Sequence, residues 1–227
     1  WLMLEKVIAN ADRVSVEIDG NTLQLDCRTV AAKDAAFDEI YWRLRRMDEM
    51  AARDVVARLA NAYGHSTEQL CRDLVMNWDE IRAMAGHPLV TIGAHTVNHR
   101  NLKRLPEADA RHEVDDVRRI LQAELGEAPR HFAYPYGYAS AVGDREVGFA
   151  RDAGYASAVT TRHGVLRAER GDPLAVDQGD PHTGDRARER QSGQLGGQRR
   201  GVDRPRVVGV VRVQGHPEAR RPVRDDS

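Results

Sequence analysis

Apolar residues recur in this chain with two different periods, and the period changes several times. In "VSVEIDGNTLQL" (14–25) apolar and polar residues take turns on either side of Asp19-Gly20. A period of two puts one strand face inside and the other in water. Asp-Gly is a favoured tight-turn pair, so the stretch predicts a β-hairpin. From Ala31 to Gly64 the spacing becomes helical: Phe37, Ile40, Tyr41, Leu44 and Met47, then Val55, Val56 and Leu59. Steps of three and four predict two helices or one broken helix. "STEQ" from Ser66 places Gln69 three residues on, the mark of a capping box with a short helix behind it. "NWDEIRAMAGHP" (77–88) predicts a further helix, with Asn77 as cap and Gly86 as stop.

After residue 88 strands and helices should alternate. "LVTIGAH" (89–95) is apolar, β-branched and of strand length. "PEADARHEVDDVRRILQAELG" (106–126) predicts a long helix with Pro106 in its first turn. Its apolar stripe is Val114, Val117, Ile120, Leu121 and Leu125, and Glu107, Asp109 and Glu113 lie near its positive end. "HFAYPYG" (131–137) is a short strand running into a turn. "DREVGFARDAGY" (144–155) is a helix ended by Gly154, and "YASAVTT" (155–161) is a strand. Helix and strand in turn imply an α/β fold with a parallel sheet, open or closed into a barrel.

Composition changes this picture at one place. From Arg170 to Ser227 the chain has no Phe, Tyr, Trp, Ile, Met, Cys, Asn or Lys, but twelve Arg and nine Asp plus Glu. Eight Val and two Leu are its only large aliphatics, too few to offset the entropy of ordering 58 residues. The tail should not fold alone; "RVVGVVRV" (206–213) is its one strand-like stretch. Arg without Lys, among Gly, Pro, Asp, Gln and Val, is what GC-rich codons spell in an unintended frame. The tail therefore reads as a frameshifted C-terminus, as a natural disordered tail, or as a nucleic-acid arm. Against the arm, its charge is only twelve minus nine and it has no aromatic ring to stack on bases.

The whole chain has a formal charge of −1, which gives no general argument for nucleic acid or an anionic membrane. No apolar run approaches the roughly 18 residues of a membrane span. Cys27 and Cys71 stand far apart, so they read as packed thiols rather than zinc ligands or a redox pair. The chain begins with Trp1 and has no basic-then-apolar leader, as expected of a processed form or an N-terminal truncation.

The candidate chemistry lies in "VTIGAHTVNHRNL" (90–102). His95 falls at a strand's C-terminal end and His99 one turn later, on the side where a parallel α/β sheet gathers its active-site residues. Two neutral imidazoles there can share a zinc-like ion. They can equally cap a helix and bond to loop backbone, and spacing alone leaves both open. "FAYPYG" ends the next strand, where Tyr134 and Tyr136 either pack or offer a floor for a sugar ring. His65, His87 and His163 border loops, His112 lies on a helix surface, His131 opens a strand, and His182 and His216 fall in the tail.

"NWDEIRAMAGHPLVTIGAHTVNHRNL…FAYPYG" resembles the polysaccharide deacetylases with a NodB-type homology domain, carbohydrate esterase family 4. The resemblance runs from about Trp78 to Leu166, and His95, Thr96 and His99 match its H-[ST]-x-x-H motif. It implies an incomplete distorted (β/α) barrel spanning 78–169; a hairpin and helical insertion region takes 1–77, and the tail over 170–227 is read from its composition as disordered or frameshifted. It implies a hydrolase of non-peptide C–N amide bonds in an N-acetylated saccharide, with a divalent metal, usually zinc. By position, His95 and His99 would be metal ligands. Tyr134, Pro135 and Tyr136 would line the groove, the Tyr136 N–H helping the oxyanion. The family's TFDD-like pair, which supplies the base and third ligand, is not found before residue 77. Asp115-Asp116 is mid-helix, Ala133 stands where many members have Arg, and "GDPH" with His182 is no convincing replacement for the acid His. An impaired deacetylase fragment is therefore expected, with a non-catalytic carbohydrate-binding remnant as the alternative. Nucleic acid is not an expected partner, no membrane span is expected, and the compartment is not legible.

Overall fold

The computed structural model describes residues 1–162 and the strand Val207–Val211. The expectations for His163, His182, His216 and the rest of the tail lie outside the described residues. The chain divides into two compact units, Trp1–Glu80 and Ile81–Ser227.

The first unit opens with a helix that the sequence pattern does not predict, α1 (Leu2–Ala9). Met3, Leu4, Val7 and Ile8 make one buried stripe on it. The expected hairpin follows as β1 (Arg13–Ile18) and β2 (Asn21–Asp26), antiparallel, with Ile18 opposite Asn21. Asp19 and Gly20 both have positive φ, 51° and 73°, as a two-residue loop matched to strand twist requires. Val14, Val16 and Ile18 point inward in strict alternation. Tyr63 covers the free edge of β1: its hydroxyl accepts the Ser15 N–H at 2.8 Å and donates to the Arg13 carbonyl at 3.1 Å.

The helical run resolves into two helices, α2 (Val30–Leu44) and α3 (Glu49–Ala62). Thr29 and Asp48 cap them through their side-chain oxygens. Ile40 and Leu44 from α2 and Val55 and Leu59 from α3 join the α1 stripe and β1 in one core. Next comes α4 (Thr67–Leu74), with the Ser66 hydroxyl accepting the Gln69 N–H at 3.1 Å. Only half of the expected box forms there, because the Gln69 amide turns forward to Asp73 at 2.6 Å. The full reciprocal arrangement occurs at α5 (Trp78–Ala85). Asn77 Oδ1 accepts the Glu80 N–H, and Glu80 Oε2 accepts the Asn77 N–H.

The second unit is mixed α/β with a parallel sheet. In chain order it has β3 (Val90–Ala94), a 3₁₀ turn at Leu102–Arg104, α6 (Glu107–Leu125), β4 (His131–Ala133), α7 (Asp144–Asp152), β5 (Ser157–Val159) and β6 (Val207–Val211). The sheet order is β5-β4-β3-β6, all parallel. Helix α6 buries Val114, Val117, Ile120 and Leu121 as its stripe predicts, and Gly126 ends it with φ +81°. Pro106 sits at the cap position, one residue before the first turn. The strand expected over 155–161 is shorter, because Tyr155 is buried before it and donates its hydroxyl to the Val114 carbonyl at 3.1 Å. Arg145 ties α7 to the 3₁₀ turn, reaching the Leu102 carbonyl at 2.8 Å and Glu146 at 2.7 Å. These connections bring the C-terminal ends of β3 and β4 side by side, with Ala94 opposite Phe132.

Candidate functional site

His95 leaves the end of β3 and leans across to β4, where its Nδ1 lies 2.7 Å from the Ala133 carbonyl. A carbonyl oxygen only accepts, so Nδ1 carries the proton and Nε2 keeps its lone pair. Burial lowers the His95 pKa, and the hydrogen bond to Ala133 opposes this only in part. The ring is thus neutral at neutral pH and oriented by backbone, the arrangement usual behind a metal-bound imidazole. Ala133 performs this with its main chain, so its side chain is immaterial to the contact.

His99 is held by the loop between β3 and the 3₁₀ turn. Thr96, fully buried, accepts the His99 N–H on its hydroxyl at 3.0 Å. Both residues have left-handed backbone, with φ of 55° at Thr96 and 58° at His99, which residues other than glycine rarely adopt. The His99 ring meets the His95 ring at 4.7 Å between centroids and the Tyr136 ring at 4.9 Å, both edge-on. Tyr138 continues the aromatic run at 5.9 Å from Tyr136.

The Tyr-Pro-Tyr-Gly turn is fastened from β5. The Tyr134 N–H donates to the Val159 carbonyl at 3.1 Å, and Thr161 Oγ1 donates to the Tyr136 carbonyl at 2.7 Å. The Thr161 N–H reaches the Gly137 carbonyl at 3.2 Å. Tyr136 has φ +65° and Gly137 φ +68°. A Cβ on Gly137 would come within 2.4 Å of the Thr161 nitrogen, so only glycine fits there.

Of the residues expected at a site, the structure brings together His95, His99 and Tyr136. Pro135 is buried, and Tyr134 is 2% exposed, its ring in the core against Phe132. Other histidines are occupied elsewhere: His131 Nδ1 is 2.8 Å from Ser157 Oγ, and His87 Nδ1 accepts the Leu89 N–H. Asp115 and Asp116 lie within α6; burial raises the pKa of Asp115, and Asp116 pairs with Arg119.

Sequence reasoning missed Glu113. Its place near the start of α6 predicts a helix-dipole role, yet it is 5% exposed and holds the loop before His99. Its two oxygens accept the Asn98 N–H at 2.7 Å and the Asn98 Nδ2 at 2.8 Å. The signal was present: Glu113 stands three residues after Ala110 and four before Val117, an acid in the register of an apolar stripe. Thr161 carried no comparable signal.

A neutral His95 with a fixed tautomer, beside His99, fits two positions of a divalent ion that takes nitrogen ligands, such as zinc. Among the described residues no group of three His, Cys, Asp or Glu could hold a metal ion. No described helix is long and apolar enough to cross a membrane.

A search of curated proteins finds no match to the chain. Among solved structures, the Streptococcus pyogenes deacetylase PplD in complex with acetate is similar over 54% of this chain, at 22% identity and a TM-score of 0.41. The similarity covers 55% of that protein, so this chain spans about half its length. The profile of the family described as polysaccharide deacetylase matches residues 36–158, more than half of the 227 residues, and the chain belongs to that family.

Proposed function

We propose that this chain carries part of the active site of a metal-dependent hydrolase that removes N-acetyl groups from an amino-sugar polymer or oligosaccharide. On this reading the parallel sheet belongs to an incomplete distorted (β/α) barrel. The observation that carries the proposal is the His95–His99 pair, with the His95 Nδ1 proton committed to Ala133. His95 and His99 would hold a divalent ion, most simply zinc. Such an ion, when bound, polarises an amide carbonyl and makes water a better nucleophile.

The chain's own residues contribute binding and orientation. Tyr136, edge-on to His99, offers a ring for the apolar face of a sugar and its N–H for the developing oxyanion. Pro135 and the buried Tyr134 fix the course of the turn that presents it. No described residue is assigned as general base or acid. A chain relying on the described residues alone would lose about 10²–10⁴ in rate for each group, so we infer an impaired catalyst.

Isothermal titration of zinc into the full chain, beside a His95→Ala/His99→Ala double variant, tests the reading. Binding that the double variant loses supports it; no binding, or binding the variant keeps, overturns it. A non-catalytic carbohydrate-binding remnant is the second reading, favoured by the His99–Tyr136–Tyr138 aromatic run. Affinity for an N-acetylated oligosaccharide unchanged by chelator, without acetate release, would select it.

A further inference from the structure

We propose that Glu113 is the positioning residue of the histidine pair, a buried clamp on α6 that holds His99 in its left-handed backbone conformation beside His95. The inference rests on the metal-site reading for its consequence, but not for its geometry.

A carboxylate at this place needs an explanation. Glu113 shares its helix face with Ala110, Val114 and Val117, all fully buried. An aliphatic side chain would fill that face without the cost of desolvating a charge. What the carboxylate supplies instead is a pair of acceptors matched to one partner. One oxygen takes the Asn98 main-chain N–H at 2.7 Å and the other takes the Asn98 amide at 2.8 Å. These are short, charge-assisted bonds with directional demands an apolar contact lacks.

The loop that receives this grip is one that needs it. Thr96 and His99 both occupy the left-handed region, and Asn98 lies directly before His99. Thr96 fixes one side of the turn by accepting the His99 N–H. Glu113 fixes the other by holding the peptide nitrogen and side chain of Asn98. With both ends held, His99 keeps a φ that its side chain disfavours, and its ring stays against His95 and Tyr136. Released from Glu113, the Asn98–His99 peptide is free to rotate toward negative φ, which swings the His99 ring out of the pair.

The test uses the full chain in two variants, Glu113→Gln and Asn98→Ala, with two readouts. The first is amide hydrogen exchange without metal. Glu113→Gln keeps the shape of the side chain but turns an NH₂ toward the Asn98 donors. Exchange at Asn98 and His99 should rise at least about tenfold, while the α6 amides around Val117 keep their wild-type protection. Asn98→Ala keeps the helix intact and should loosen the His99 amide in the same way, which preserves the test where Glu113→Gln fails to fold. The second readout is zinc titrated alone, for which Glu113→Gln should weaken affinity about 10–100-fold under conditions where the variant is fully folded. Unchanged exchange at Asn98 and His99 in the folded variants overturns the proposal. So does loss of protection spread evenly over the unit, which would make Glu113 an ordinary packing residue. If the wild-type chain binds no zinc, the metal reading fails, and the exchange measurement still decides the clamp.

Discussion

Tyr155 shows how a single buried side chain ties stability to pH. Its hydroxyl donates to the Val114 carbonyl, and burial pushes its pKa well above the ordinary tyrosine value. The raised folded-state pKa means that the unfolded chain loses this proton first. The stabilisation is therefore fully present below about pH 10 and declines as pH rises beyond it, by at most about 1.4 kcal/mol per pH unit. Tyr155→Phe should cost about 1 kcal/mol at pH 8, and its deficit should shrink and then reverse above pH 10 in urea titrations at successive pH values. Gly137 is a second case. Gly137→Ala combines a left-handed φ with a methyl group 2.4 Å from the Thr161 nitrogen. It should cost about 2–4 kcal/mol by the same denaturation measurement. Gly137 stands in a turn that the sequence marks, but neither its partner nor that of Tyr155 is legible there, because a tyrosine or glycine reveals its partner only when the chain returns from a distant element.

The helices separate what neighbouring residues decide from what they leave open. Ser66 and Asn77 both announce caps, and both caps form. The reply from the third helical residue differs: Glu80 reaches back to the Asn77 N–H, whereas Gln69 prefers Asp73. Ser66→Ala should therefore cost about 1 kcal/mol, with Gln69→Ala costing only a few tenths. At α5 both Asn77→Ala and Glu80→Ala should destabilise, and the double variant should cost less than their sum, since each serves the same helix end. Thermal unfolding of the single and double variants reads both outcomes. Helix α1 is not legible from periodicity because its eight residues form only about two turns, too short a run to stand out.

Over the whole molecule, the core of Trp1–Glu80 and the parallel sheet of the second unit are separate pieces of construction. The family match begins at residue 36, within α2, so it takes in helices that the motif-based resemblance, starting near Trp78, assigned to an insertion. On the metal reading, zinc at 100 times its Kd should stabilise the chain by about 2.7 kcal/mol. A thermal-shift titration should show this rise in Tm, its reversal by chelator, and its absence in His95→Ala/His99→Ala. A rise of equal size in the double variant would place the ion elsewhere.

Periodicity and punctuation made the Asp19-Gly20 hairpin, the stripe of α6 and the helix–strand alternation after residue 88 legible, because each depends on residues within a few positions of one another. The same reading singled out His95, His99 and the Tyr-Pro-Tyr-Gly turn as candidates. It could not find the Ala133 carbonyl on His95, the Glu113 grip on Asn98 or the Thr161 bonds that hold the turn. Nor could it pair Val90 with Val207, 117 residues further on. Every residue has a carbonyl and every residue but proline an N–H, so which of them meets a given side chain leaves no mark in the sequence. Only packing of the sheet and α6 brings those groups to the histidines, and with them the left-handed backbone at Thr96, His99 and Tyr136 that local preference opposes.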